Sequence, residues 1–173
     1  MPRLPAATLA SLLLCCSCAP CMGVDVQTAQ DGTTSRRVSS YLSSPVELTI
    51  VDDAGALLLD ARYTVDGDGE PITTSKAVAE VRFANGHVET LTAVAPPYAS
   101  TLGLATTFRA RFPVSTTLAQ HLTTTPIVGV RLGTPERSWT FEAKANWADE
   151  LVTRSRCVIP PAACQPSATV AAR

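Results

Sequence analysis

Along most of the chain after residue 45, apolar and polar residues alternate with a period of two. Val46, Leu48 and Ile50 alternate with Glu47 and Thr49, and the turn Asp52-Asp53-Ala54-Gly55 follows. Beyond it Leu57, Leu59, Ala61, Tyr63 and Val65 fall on one face, with Leu58, Asp60, Arg62 and Thr64 on the other. Successive strand side chains point to opposite faces, so this pattern predicts a hairpin buried on one side. A second hairpin is predicted where Ala79, Val81 and Phe83 precede Asn85-Gly86, a dipeptide that favours a type I′ turn, and His87 to Val94 returns. Leu104, Thr106, Phe108, Ala110 and Phe112 alternate with Ala105, Thr107, Arg109 and Arg111 as a further half-buried strand. Ile127 to Leu132 and Trp139 to Ala143 make a last hairpin around Gly133-Thr134-Pro135-Glu136. The stretch from Ala95 to Gly103, with Pro96-Pro97-Tyr98, reads as a loop long enough to reach a partner.

Two segments change period. Ser115 is placed to cap a short helix that carries Leu118 and Leu122 four residues apart, and Pro126 closes it. Asn146 is an N-cap candidate for a C-terminal helix on which Trp147, Leu151 and Val152 share a face. Asp149 and Glu150 follow in its first turn and Pro160-Pro161 stops it. The fold expected is mainly β: an antiparallel, sandwich-like sheet of about seven strands with a short internal helix and a C-terminal helix. Trp139 and Trp147 belong to its core.

The first twenty residues follow another logic. Arg3 precedes an apolar run from Leu4 to Leu14, too short to span a bilayer, which takes roughly 20 residues. Cys15, Cys16, Cys18 and Cys21 crowd its end. A basic start, a short apolar core and a small-residue exit describe an export signal over residues 1–20. This N-terminus resembles the bacterial lipoprotein class, in which cleavage leaves a lipidated cysteine at the new N-terminus. The resemblance implies lipidation at Cys18, preceded by Ser17 and with Cys15 where that class carries leucine; Cys21, preceded by Pro20, is the alternative. It implies a domain held to a membrane of the cell envelope. The other reading is periplasmic release or secretion, with cleavage after Gly23. Residues 21–44, rich in Ser, Thr, Gln and Asp, are expected to be a flexible tether. Residues 45–158 then form a single β-rich domain, and 159–173 a disordered or disulfide-pinned tail.

Cysteine and charge narrow the chemistry. Cys157 and Cys164 lie close in sequence, and in an oxidising envelope they are expected to form a disulfide, with no histidine near enough to favour zinc. Removing Arg3 from the 14 basic residues leaves 13 against 15 acidic ones, a balance that disfavours a nucleic-acid partner. Asp66-Gly67-Asp68-Gly69-Glu70 resembles the start of a calcium loop, but Ala77 stands where the twelfth-position glutamate belongs, so a solvated connection is expected and no metal or cofactor is assigned. Arg62, Arg82, Arg109, Arg111 and Arg131 fall on the polar faces of strands. Brought together, they make a ligand face for an anionic glycan or an envelope protein; the alternative is cross-strand pairing with Asp60, Glu80, Glu89 or Glu142. His87 and His121 have no nucleophile at triad spacing and read as surface residues. The function expected is an exported, lipid-anchored envelope protein with a structural or binding role. The rival class is a hydrolase whose carboxylates come from Asp60, Glu80 and Glu89.

Overall fold

A computed structural model of the chain describes residue 21, residues 23–66 and residues 75–159. The fold is mainly β, as the alternation predicts, and every strand pairing is antiparallel. In chain order the elements are β1 (Asp25–Thr28), β2 (Thr34–Ser43), β3 (Val46–Asp53), β4 (Ala56–Asp66), β5 (Val78–Phe83), β6 (Val88–Thr92), β7 (Tyr98–Leu102), β8 (Ala105–Pro113), α1 (Thr116–Thr124), β9 (Ile127–Gly133), β10 (Ser138–Glu142) and α2 (Ala145–Val158). They form a six-stranded sheet in the order β1-β2-β3-β4-β8-β7 and a four-stranded sheet in the order β10-β9-β5-β6.

One core lies between the sheets. Leu48, Ile50, Leu59, Ala61, Tyr63, Phe108, Ala110 and Phe112 supply it from the larger sheet, and Ala79, Val81, Leu91, Val130 and Leu132 from the smaller. Tyr63 stacks on Phe108 with ring centroids 5.3 Å apart, and Trp139 and Phe141 of β10 close over Tyr63 at 5.9 and 6.0 Å. Burial pushes the Tyr63 hydroxyl up to about 12 from its ordinary 10. A raised folded-state value means that stability is intact below pH 10 and lost as the pH rises towards 12. The loss amounts to about 2–3 kcal/mol. Urea unfolding at pH 9.5 and 11.5 checks this, because Tyr63→Phe should lack that component of the alkaline loss.

The stretch expected to be a tether is folded. β2 pairs with β3 from Ser35↔Asp53 to Ser43↔Val46, and Val38 and Leu42 are buried. Ser40 beside them is buried too, its hydroxyl donating to the Trp147 carbonyl at 3.4 Å. A strand can be ordered with few large apolar residues when a helix covers it, and α2 packs on β2. β1 adds an exposed edge strand through Asp25↔Arg37. The expected loop after Pro96-Pro97 likewise contains a strand, β7, on the opposite edge, where preceding prolines disturb no ladder.

Local chemistry explains the remaining differences. The β3–β4 turn places Ala54 and Gly55 at φ of 52° and 90°, and Asp52 Oδ1 accepts from the Gly55 N–H. The Asn85-Gly86 turn is not type I′: only Gly86 has positive φ, and its N–H donates to the Phe83 carbonyl, so a type I turn leads into a left-handed glycine. Ser115 caps α1 as expected, accepting from the Leu118 N–H at 3.0 Å. α2 starts two residues earlier than expected: Lys144, not Asn146, is the N-cap, with no side-chain cap bond. Leu151 and Val152 are buried, but Trp147 is half-buried at the margin, between Tyr41 and the Lys144 ammonium.

Cys157 is bonded to Cys21, with their Cα atoms 5.6 Å apart, and not to Cys164. The Arg36 guanidinium donates to the Cys157 carbonyl, holding the end of α2 against β2 beside the bridge. Cys18, Cys164, the acidic residues Asp68 and Glu70, and the tail from residue 160 lie outside the described residues. Among the described residues no helix is long and apolar enough to cross a membrane.

Candidate functional site

The outer face of the six-stranded sheet gathers three of the arginines expected to form a ligand face. Strand register aligns Glu47, Arg62, Arg109 and Tyr98 in one row across β3, β4, β8 and β7. Two residues along, Thr49, Asp60 and Arg111 make the next row. After β6 the chain crosses beside β8, the Val94 N–H donating to the Arg111 carbonyl, and Val94, Ala95 and Pro96 rise as a wall. The result is an open groove of about 390 Å³ floored by both rows.

Charge within the groove is unevenly matched. Arg111 grips Asp60 with two bonds of 2.7 and 2.8 Å, and this hydrogen bonding raises the guanidinium above its ordinary value. Arg62 reaches Glu47 at 3.6 Å. Arg109 has no ion-pair partner among the described residues, and it stands directly opposite Arg62. Like charges directly opposed across a ladder destabilise a sheet. Tyr98, on the other side of Arg109, is 68% exposed.

Arg82 and Arg131 do not join this group; they lie on the four-stranded sheet. Arg82 crosses the bare backbone of Gly129, its register partner, to bond Glu142 at 2.7 Å. A side chain at Gly129 would collide with it, its Cβ 2.5 Å from Arg82 Nη2. Arg131 faces Glu80 in register and donates to the Ser138 hydroxyl. Arg82 follows the cross-strand pairing reading, whereas Arg131 makes no ion pair among the described residues.

The structure also joins residues that were expected to be unremarkable surface groups. His87, beside the β5–β6 turn, stacks on His121 of α1 with ring centroids 4.1 Å apart and planes within 18°. Phe83 lies against both rings. Glu89 bonds His87 Nε2 through one oxygen at 3.0 Å and accepts from the Ser115 hydroxyl through the other. The sequence offers no signal for this cluster, because it forms only when α1 folds back over the hairpin. It pins the hairpin to the helix N-cap.

The three carboxylates considered for hydrolysis occupy separate settings. Asp60 is held by Arg111, Glu89 by His87 and Ser115, and Glu80 sits on the face of β5 opposite Val81, near Arg131 and Pro135. Among the described residues no group of three His, Cys, Asp or Glu side chains is placed to hold a metal ion. No family model, curated protein or solved structure matches the chain.

Proposed function

We propose that this is an exported bacterial cell-envelope protein, lipid-anchored through Cys18, whose domain serves a binding role. The observation that carries the reading is the bond between Cys21 and Cys157. Disulfides persist in oxidising compartments, so the bridge supports export. It also bears on the choice among N-terminal cysteines. A sulfur held in a disulfide has no valence left for a thioether-linked lipid, which favours Cys18 over Cys21. Cleavage after Gly23 would discard Cys21 and with it the bridge, so the same bond supports anchoring over simple secretion. The binding role is supported by the open groove and by Arg109, which has no ion-pair partner among the described residues, and the dispersal of the acidic groups favours it over carboxylate-based hydrolysis.

Expression in a bacterial host fed labelled palmitate tests the anchor. The wild-type chain and Cys157→Ser are expected to take up label, and Cys18→Ser to lose it. An unlabelled wild-type chain in the soluble periplasmic fraction would overturn the anchor in favour of release.

A further inference from the structure

Building on the binding reading above, we infer that the groove takes the carboxylate of an acidic sugar residue, with Arg109 as the anion contact and Tyr98 as the platform for the sugar ring. The charges on the groove floor point to a single negative ligand group. Among the described residues, two of its three arginines are matched by Asp60 and Glu47, leaving one surplus positive charge on Arg109. Folding does not account for it, since its direct neighbour across β4 is Arg62 and that opposition costs stability. A carboxylate seated between Arg109 and Arg62 would relieve the repulsion and gain the paired N–H bonds that a guanidinium offers.

The rest of the groove supplies what a sugar requires. Tyr98 is the immediate neighbour of Arg109 on the edge strand, and its exposed ring offers a flat face beside the anion contact. Pro96 and Val94 add an apolar wall, and Thr49 contributes a hydroxyl to the floor. Polar groups spread along an open trough suit a ligand that carries hydroxyls and ring faces along its length. At about 390 Å³ the groove falls within the range of small-molecule sites.

Calorimetric titration of the full-length, disulfide-intact protein with tetragalacturonate, using cellotetraose as the neutral control, tests the inference. Tetragalacturonate is expected to bind with a Kd of about 1 mM or tighter and to weaken as salt is raised, with cellotetraose much poorer. Arg109→Ala should weaken binding about 10- to 100-fold, the usual worth of a charge-assisted bond. Arg109→Lys should recover part of it, since the charge remains but the planar fork is lost. Tyr98→Ala should weaken it, Tyr98→Phe should preserve it, and Arg82→Ala on the other sheet should leave it unchanged. Equal affinity for the neutral tetramer, no binding up to about 10 mM, or indifference to Arg109→Ala would overturn the assignment. So would capture of an acetylated tetrapeptide with a free C-terminal carboxylate in place of the uronate. Lipidation plays no part in this measurement, so failure of the palmitate test leaves the titration result standing.

Discussion

Replacing Cys157 with serine is expected to lower the unfolding free energy by about 4–5 kcal/mol, the largest single effect in the molecule. The bridge to Cys21 spans 136 residues and encloses both sheets and both helices. Closing a loop of that length removes far more freedom from the unfolded chain than the short Cys157–Cys164 loop that proximity in sequence suggests, because the entropy grows with the logarithm of loop length. Its local effect points the same way. The bridge holds β1 and the last turn of α2 together, and Arg36 adds its bond to the Cys157 carbonyl. Urea unfolding of wild type and Cys157→Ser under non-reducing conditions checks the figure. An unchanged midpoint would show that the bridge does not form or does not constrain the chain.

Phe108→Ala is expected to cost about 3–5 kcal/mol, the usual range for emptying a fully buried aromatic site. Phe108 is 1% exposed, stacks on Tyr63 and lies 5.4 Å from Trp139, so its loss opens a cavity where the two sheets meet. Backbone pairing on both sides of β8 limits how far that cavity can collapse. Trp147→Ala should cost clearly less, although the amphipathic pattern of α2 suggests a docked tryptophan, because that side chain is only partly buried. Thermal or urea unfolding of the two variants side by side gives the comparison, and a larger loss for Trp147→Ala would contradict this account of the core.

What the sequence reveals and what it hides divide along physical lines. Strands β3, β4, β5, β6, β8, β9 and β10 and both helices are legible because each buries one face, and burial writes a period into the residues. β7 is an edge strand with little to bury, so its Ser and Thr residues resemble a loop. β2 does bury a face, but Ser40 interrupts the apolar set between Val38 and Leu42, and α2, which makes that serine a core residue, lies a hundred residues away. The arginine face was legible only in parity: alternation puts Arg62, Arg109 and Arg82 on polar faces without saying which sheet each joins. The pairing of β4 with β8 decides that, uniting Arg62 with Arg109, while the pairing of β5 with β9 sends Arg82 to Glu142. The partner of Cys157 was hidden for a similar reason. Cys21 stands among the cysteines that end the apolar run and reads as part of the export signal, whereas the fold brings it to the end of α2.

The most direct measurement is non-reducing peptide mass spectrometry of the protein taken from a bacterial envelope. A single species is expected in which the N-terminal peptide begins at an acylated Cys18 and is joined through Cys21 to the peptide containing Cys157. A mature chain that starts unmodified at Val24, or one with free thiols at Cys21 and Cys157, would contradict the account.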